Sequence, residues 1–203
     1  TIPRGVTVHI AAGTILRFYW FPAPIPLPTL TVLGNLLIDG TNRDSVFIDY
    51  DTASVINQLD LSDYRLFISD SGNVSGNYLV LKTRKGISKL SRGSLMLNHS
   101  KFTNVNGWPS MIDCNGNNRF RECVFDYFAS EIDNGEDSLK FINCVFRNSI
   151  LALTYYSYDT IRVLIDSCTM INTRYTSNET VIHYATIRNS VLQNSSVYGD
   201  RGR

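Results

Sequence analysis

Five segments decide how this chain folds: Leu97-Asn98-His99-Ser100-Lys101-Phe102-Thr103-Asn104, Phe120-Arg121-Glu122-Cys123-Val124-Phe125-Asp126-Tyr127, Phe141-Ile142-Asn143-Cys144-Val145-Phe146-Arg147-Asn148, Ile165-Asp166-Ser167-Cys168-Thr169-Met170-Ile171-Asn172 and Ile187-Arg188-Asn189-Ser190-Val191-Leu192-Gln193-Asn194. Each reads as a large apolar residue, two variable residues, Cys or Ser, any residue, a second large apolar residue, any residue, and Asn in every copy except the one ending at Tyr127. The Cys or Ser slot is filled by Ser100, Cys123, Cys144, Cys168 and Ser190 in turn. That is a nearly fixed interval of about 22 residues, and a fixed period above about 20 residues is the signature of a solenoid.

Around the Cys position apolar and polar residues alternate with period 2, as in a strand. No copy carries a helical stripe, and each is too short for a strand followed by a crossover helix. The repeat therefore reads as one rung, about 22 residues long, of a parallel β-helix, in which each short strand pairs with its equivalent about 4.8 Å along the axis. Like positions then stack. Leu97, Phe120, Phe141, Ile165 and Ile187 form one internal column, and Phe102, Phe125, Phe146, Met170 and Leu192 a second. Ser100, Cys123, Cys144, Cys168 and Ser190 form a narrow third. Asn104, Asn148, Asn172 and Asn194 suit a turn, because Asn tolerates the left-handed conformation, and stacked amides can bond rung to rung. Tyr127 is expected to interrupt that ladder.

These residues resemble the right-handed parallel β-helix superfamily, the pectate-lyase-like fold, with its stacked interior and its Asn ladder. The resemblance implies an all-β, single-stranded right-handed solenoid. It implies no activity, since the fold serves lyases, hydrolases, adhesins and non-catalytic extracellular domains. The opening segment, Ile2-Pro3-Arg4-Gly5-Val6-Thr7-Val8 and then Leu30-Thr31-Val32-Leu33-Gly34, resembles the first rungs of large extracellular β-helix proteins. Residues 1–203 are accordingly read as one β-helix domain, and the start at Thr1 suggests a piece of a longer chain.

Between the first rungs, Phe18 to Pro28 carries alternating prolines and is expected to be a loop. It reads first as a flap packed over the barrel side or across an open end, and otherwise as a contact surface for a sugar or a partner, with Trp20 and Phe21 the candidate contacts for flanking domains or like chains at the solenoid ends. The stretches Asp70–Gly76 and Lys82–Arg92 read as a polar turn and a basic loop, and Thr173–Thr180 as an insertion in one turn of the coil.

Composition narrows the function classes. The net charge of +1, with both signs interspersed, gives no electrostatic footprint for nucleic acid. No apolar run approaches the roughly 18 residues of a membrane span. Little Lys and Glu with much Asn, Ser, Thr and Tyr suits an extracellular or cell-surface protein. Sequons occur at Asn73, Asn98, Asn178 and Asn194, of which Asn98, on an outward position, is the preferred glycan acceptor.

The cysteine spacings fit no zinc motif, and nothing in the pattern requires a metal or another cofactor. Because Ser fills the same slot in flanking copies, Cys123, Cys144 and Cys168 read as buried free thiols, with a Cys123–Cys144 bridge as the other outcome. Asp113 and Asp133 precede successive copies, followed by Tyr155, Tyr156, Tyr158, His183 and Tyr184. In one register they would share an outer face. Paired carboxylates there could cleave a polysaccharide, one as acid and one as base or nucleophile, while the tyrosines could stack on the sugars of a bound glycan. The signatures that a pectinase resemblance demands are missing: no Asn-Thr-Asp, no Gly-His-Gly, no Arg-Ile-Lys. Two readings stand: a non-catalytic extracellular module for structure, adhesion or recognition, and a carbohydrate-active enzyme working along the Asp/Tyr face.

Overall fold

The computed structural model describes residues 1–18, 30–50, 66–68, 72–83, 86–89, 93–104, 111–114, 117–131, 138–153, 161–177 and 183–199. Their strands fall into eight groups of three, one group per rung. Rung one holds β1 (Thr7–Ala11), β2 (Ile15–Phe18) and β3 (Leu30–Val32). Rung two holds β4 (Asn35–Asp39), β5 (Val46–Tyr50) and β6 (Leu66–Ile68). Rung three is β7 (Asn73–Asn77), β8 (Leu79–Thr83) and β9 (Gly86–Lys89); rung four is β10 (Ser94–Asn98), β11 (Lys101–Asn104) and β12 (Met111–Cys114). Next come β13 (Asn118–Arg121), β14 (Val124–Asp126) and β15 (Ala129–Glu131), then β16 (Ser138–Ile142), β17 (Val145–Arg147) and β18 (Ile150–Leu153). The last two rungs are β19 (Ile161–Asp166), β20 (Thr169–Ile171) and β21 (Arg174–Ser177), followed by β22 (His183–Arg188), β23 (Val191–Gln193) and β24 (Ser196–Gly199).

All the first strands pair in parallel into one eight-stranded sheet and all the second strands into another. The third side is two four-stranded sheets, β3-β6-β9-β12 and β15-β18-β21-β24. This is the parallel β-solenoid that the repeat dictates, and the register gives its pitch. Thr7 pairs with Asn35 and Asn35 with Asn73, the two longest steps of the coil. From Asn73 onward the rungs are shorter and nearly even. Asn73 pairs with Ser94, and the next column runs from Leu95 through Asn118, Leu139 and Val163 to Ala185. Each of these later steps is close to the period of about 22 residues that the repeat sets.

The two large apolar columns face inward as the repeat requires. Phe102 lies flat on Phe125 with centroids 4.8 Å apart, and Phe125 on Phe146 at 4.9 Å, which is the strand spacing itself. Phe120 stacks on Phe141 at 5.3 Å, and the two columns meet edge to face, Phe141 against Phe146 at 5.1 Å. Aromatic pairs in these geometries each add roughly 0.5–1.5 kcal/mol beyond the area they bury.

Among the described residues, rungs three and four have one left-handed corner and rungs five to eight have two. Between first and second strands the φ-positive residues are Tyr78, His99, Glu122, Asn143, Ser167 and Asn189; between second and third strands they are Tyr127, Asn148, Asn172 and Asn194. Those with a further rung beyond them donate their amide to its carbonyl, for example Glu122 to Ile142 at 2.9 Å and Asn148 to Ile171 at 2.9 Å. Except at Leu79 and Phe128, the residue after each turn is small and caps the corner. Ser100 Oγ donates to the Asn98 carbonyl at 2.9 Å and accepts the Leu79 amide at 3.1 Å. Cys123, Cys144 and Cys168 are free, buried thiols in the same slot, each directed at the carbonyl two residues back. Contact with the Cys123 thiol, opposed by contact with Cys168 and aided by burial, pushes the Cys144 thiol up to about 12. At neutral pH it is protonated, hence a poor nucleophile. A second capping column, Ser149, Thr173 and Ser195, does the same at the other corner: Ser149 Oγ donates to Arg147 O at 2.7 Å and accepts the Phe128 amide at 3.1 Å.

Three segments differ from expectation. Asn73–Asn77 is β7, not part of a turn, and Gly86–Lys89 is β9, not a loop. Arg174–Ser177 is β21, a regular third strand with Tyr175 buried in the core, so no insertion begins at Thr173. The third rung hides its repeat because large and small residues trade places. Gly76 stands in register with Leu97, while Leu79 occupies the slot filled by Ser100 one rung later. Asn104 also departs from its column: it ends β11 as a strand residue paired with Thr83, whereas Asn148, Asn172 and Asn194 turn the chain. The amide ladder is present where it survives, with Asn172 Nδ2 donating to Asn148 Oδ1 at 3.1 Å.

Candidate functional site

The strand register separates the residues that the sequence groups together. Asp113 lies in β12, opposite Ser88, at the end of the first half of the third side. His183 and Tyr184 lie in β22 of the first sheet, opposite Ile161 and Arg162. These two therefore do not continue the strand of Asp113. The physical reason is that this group does not keep a constant distance from the following Cys or Ser. Ile112 precedes Cys123 by eleven positions, whereas Ile182 precedes Ser190 by only eight. Asp133, Tyr155, Tyr156 and Tyr158 lie outside the described residues, as do Trp20, Phe21 and Asn178.

The outer face of the first sheet is the described surface with the most ordered chemistry. Residues alternate in and out along each strand, so three outward columns cross the sheet. At its start, side-chain amides form a ladder. Asn35 Nδ2 donates to Thr7 Oγ1 at 3.2 Å, Asn73 Nδ2 to Asn35 Oδ1 at 3.1 Å, and Ser94 Oγ to Asn73 Oδ1 at 2.8 Å. At the far edge Asn98 Nδ2 donates to Asn77 Oδ1 at 3.1 Å. The sequon nitrogens of Asn73 and Asn98 are thus engaged within the fold. Asn73 is exposed and Asn98 half-buried, and the Ser100 of the second sequon is a buried corner cap.

The corner beside this face carries a stacked relay. The Tyr78 and His99 rings lie parallel with centroids 4.8 Å apart, His99 Nδ1 is 3.1 Å from one Glu122 oxygen, and the other oxygen accepts from Arg121 Nε at 3.1 Å. Two rungs further, Arg188 binds Asp166 at 2.7 Å and, with Asn189, holds that carboxyl below the usual carboxylate range.

Between those pairs the face is basic. Arg119 and Lys140 are directly opposed on β13 and β16, with Arg121 beside them. Arg162 on β19 stands opposite Ser138, two residues before Lys140. All four cations are exposed. No periodic sign of this cluster shows in the sequence, because it arises only when successive rungs are brought side by side. Asp133, Glu136 and Asp137 belong to the segment between β15 and β16, outside the described residues. Those described residues hold no group of three His, Cys, Asp or Glu arranged for a metal ion, and no helix among them is long and apolar enough to cross a membrane. Comparison with protein-family models, with curated proteins and with solved structures returned no match.

Proposed function

We propose that this chain is a non-catalytic extracellular module of pectate-lyase-like architecture, serving structure, adhesion or recognition. One observation carries this: the outward polar groups are used rung to rung. Thr7, Asn35, Asn73 and Ser94 bond one another in series, and the corner amides and caps do the same inside. Such a stack resists bending and holds flat side-chain rows at fixed spacing, which is what a presenting surface requires. Its polar, Tyr- and Asn-rich composition suits the outside of a cell, where Asn73 offers the exposed sequon.

The solenoid edges are the natural places for neighbouring segments or like chains. Leu192 in β23 is 42 % exposed, while Met170, in register one rung earlier, is 0 % exposed. Val191, Val197 and Tyr198 are exposed on the same edge. An unpaired strand row with apolar side chains recruits another strand.

The test is a panel of neutral and acidic polysaccharides, scored both for binding and for new chain ends. Binding without turnover is expected. Turnover that disappears in Asp113→Asn or Asp133→Asn would replace this reading with a carbohydrate-active enzyme.

A further inference from the structure

The second strands break the alternation that the first strands keep. Val46-Phe47-Ile48, Leu79-Val80-Leu81, Val124-Phe125 and Val145-Phe146 are apolar at successive positions, so apolar side chains point out of the coil as well as into it. Strands that read as continuous apolar runs are typical of sheets covered on both faces. The register gathers the outward ones into a single column, Phe47, Val80, Lys101, Val124 and Val145, on successive strands of the second sheet. Phe47 is exposed, and Val80, Val124 and Val145 are half-buried. A neighbouring outward column holds Asp49, Lys82, Thr103, Asp126 and Arg147. Its four charged residues form no ion pair with any described residue. A flat apolar stripe edged by uncommitted charge is a contact surface.

We propose that this face binds a second copy of the chain, packed antiparallel to the first about an axis along β11. The order of signs selects that occupant. Thr103 sits at the centre of the charged column, with Lys82 and Asp126 one rung to either side and Asp49 and Arg147 two rungs away. The column is therefore antisymmetric in charge. A two-fold axis along β11, in the plane between two facing sheets, reverses the order of rungs and leaves each column opposite itself. Lys82 then meets Asp126 of the second copy and Asp49 meets its Arg147, each pair occurring twice, as an isologous interface requires. In the apolar column Val80 faces Val124, and Phe47 faces Val145. Sliding one copy by a single rung opposes Asp49 to Asp126 in one direction and Lys82 to Arg147 in the other. With the rungs running in parallel, no two-fold axis superposes both columns on themselves. Seven of the eight strands overlap, giving roughly 350 Å² of sheet per copy at a spacing of about 4.8 Å. That is the small end of protein interfaces, so the dimer is weak and reversible. Lys101 meets itself on the axis, the one like-charge contact within the two columns.

Sedimentation velocity of the whole chain, from micromolar to millimolar concentration, tests this. The parent chain shows a reversible monomer–dimer equilibrium. Lys82→Glu and Asp126→Lys each weaken dimerisation roughly tenfold or more, because two like-charge contacts replace two attractive ones. An equimolar mixture of the two single variants recovers the dimer, since each chain then supplies the sign that the other lacks. Phe47→Asp removes association and leaves the thermal midpoint of the monomer unchanged, whereas Lys101→Gln tightens the dimer. Val197→Ser, at the edge of the last rung, has no effect on it. A parent chain that stays monomeric at every concentration would overturn the proposal, as would a mixture that fails to recover the dimer. Equal loss in Val197→Ser, or growth beyond a dimer, would place the association at the solenoid edges instead. A fall in midpoint for Phe47→Asp in a chain that never dimerises would mean that the chain covers its own stripe.

Discussion

The first four rungs and the last four make the same three-sided coil in opposite ways. In rungs one, two and four the longer interval of sequence lies between the second strand and the third, as between Phe18 and Leu30 or Tyr50 and Leu66, and the third strand leads within a few residues into the next rung. In rungs five to eight the third strand follows at once through a left-handed corner, as from Asp126 to Ala129 or Arg147 to Ile150, and in rungs five to seven the longer interval of sequence comes after it. The longer interval therefore changes its place in the rung between β12 and β15. These two strands lie side by side, yet the hydrogen-bonded sheet of the third side ends at one and restarts at the other. A solenoid needs continuity in its core columns, and it tolerates a change of route around them.

The interiors differ as well. Rungs four to six carry stacked phenyl rings, whereas the fully buried described residues of the earlier ones are aliphatic, with Gly76 in one inward slot. Phe146→Ala removes a ring stacked on Phe125 and edge-on to Phe141. Equilibrium unfolding should show a loss of about 3–5 kcal/mol, and a loss below about 1 kcal/mol would mean that the phenyl columns do not support the later rungs. Gly76→Ala probes the earlier half. A methyl group there would overlap the Ile38 carbonyl oxygen and Cβ, both fixed by the neighbouring strand. A cost of about 2–3 kcal/mol is expected, as for overpacking of a rigid site. A silent substitution would show that the two rungs can spread, and would erase the contrast.

Smaller effects test the corners. Tyr127 holds φ near 51° where the later rungs have Asn148, Asn172 and Asn194. Left-handed backbone costs an ordinary side chain roughly 1–2 kcal/mol, and Asn less. Because Tyr127 is exposed and contributes little packing, Tyr127→Asn should raise stability by about 1 kcal/mol, read from the denaturation midpoint. A fall would mean that its ring supports the place where the third side changes.

The smallest change concerns Tyr175, whose hydroxyl is buried without a hydrogen-bond partner. Tyr175→Phe should be neutral or stabilising by up to about 1 kcal/mol at neutral pH. Burial pushes the phenol up to about 12 from an ordinary value of 10. The unfolded chain therefore loses this proton first, so the associated stability is complete below pH 10 and declines as pH rises towards 12. Between those limits the Phe variant should lose less stability than the parent, and parallel curves would place the hydroxyl in water.

The five copies of the motif determined the solenoid, its pitch and the inward columns, because each is a local alternation repeated at one interval. They also carried the thiol slot, since a small residue recurring between two large ones has to be buried. The Asn-Ser and Asn-Thr pairs at 148–149, 172–173 and 194–195 contained the second capping column, which shows in the sequence only once the corner is known to need a donor. Rung three stayed hidden because volume is conserved across columns rather than within them, so Gly76 and Leu79 satisfy the core while breaking the pattern. Which outward residues meet was decided by tertiary structure alone. Arg119, Lys140 and Arg162 come onto one face, and His183 parts from Asp113, through the register of strands whose spacing in sequence no local preference sets. Inward positions repeat because every rung must fill the same space against its neighbours. Outward positions face water, and without that constraint their alignment follows only from the register the core imposes.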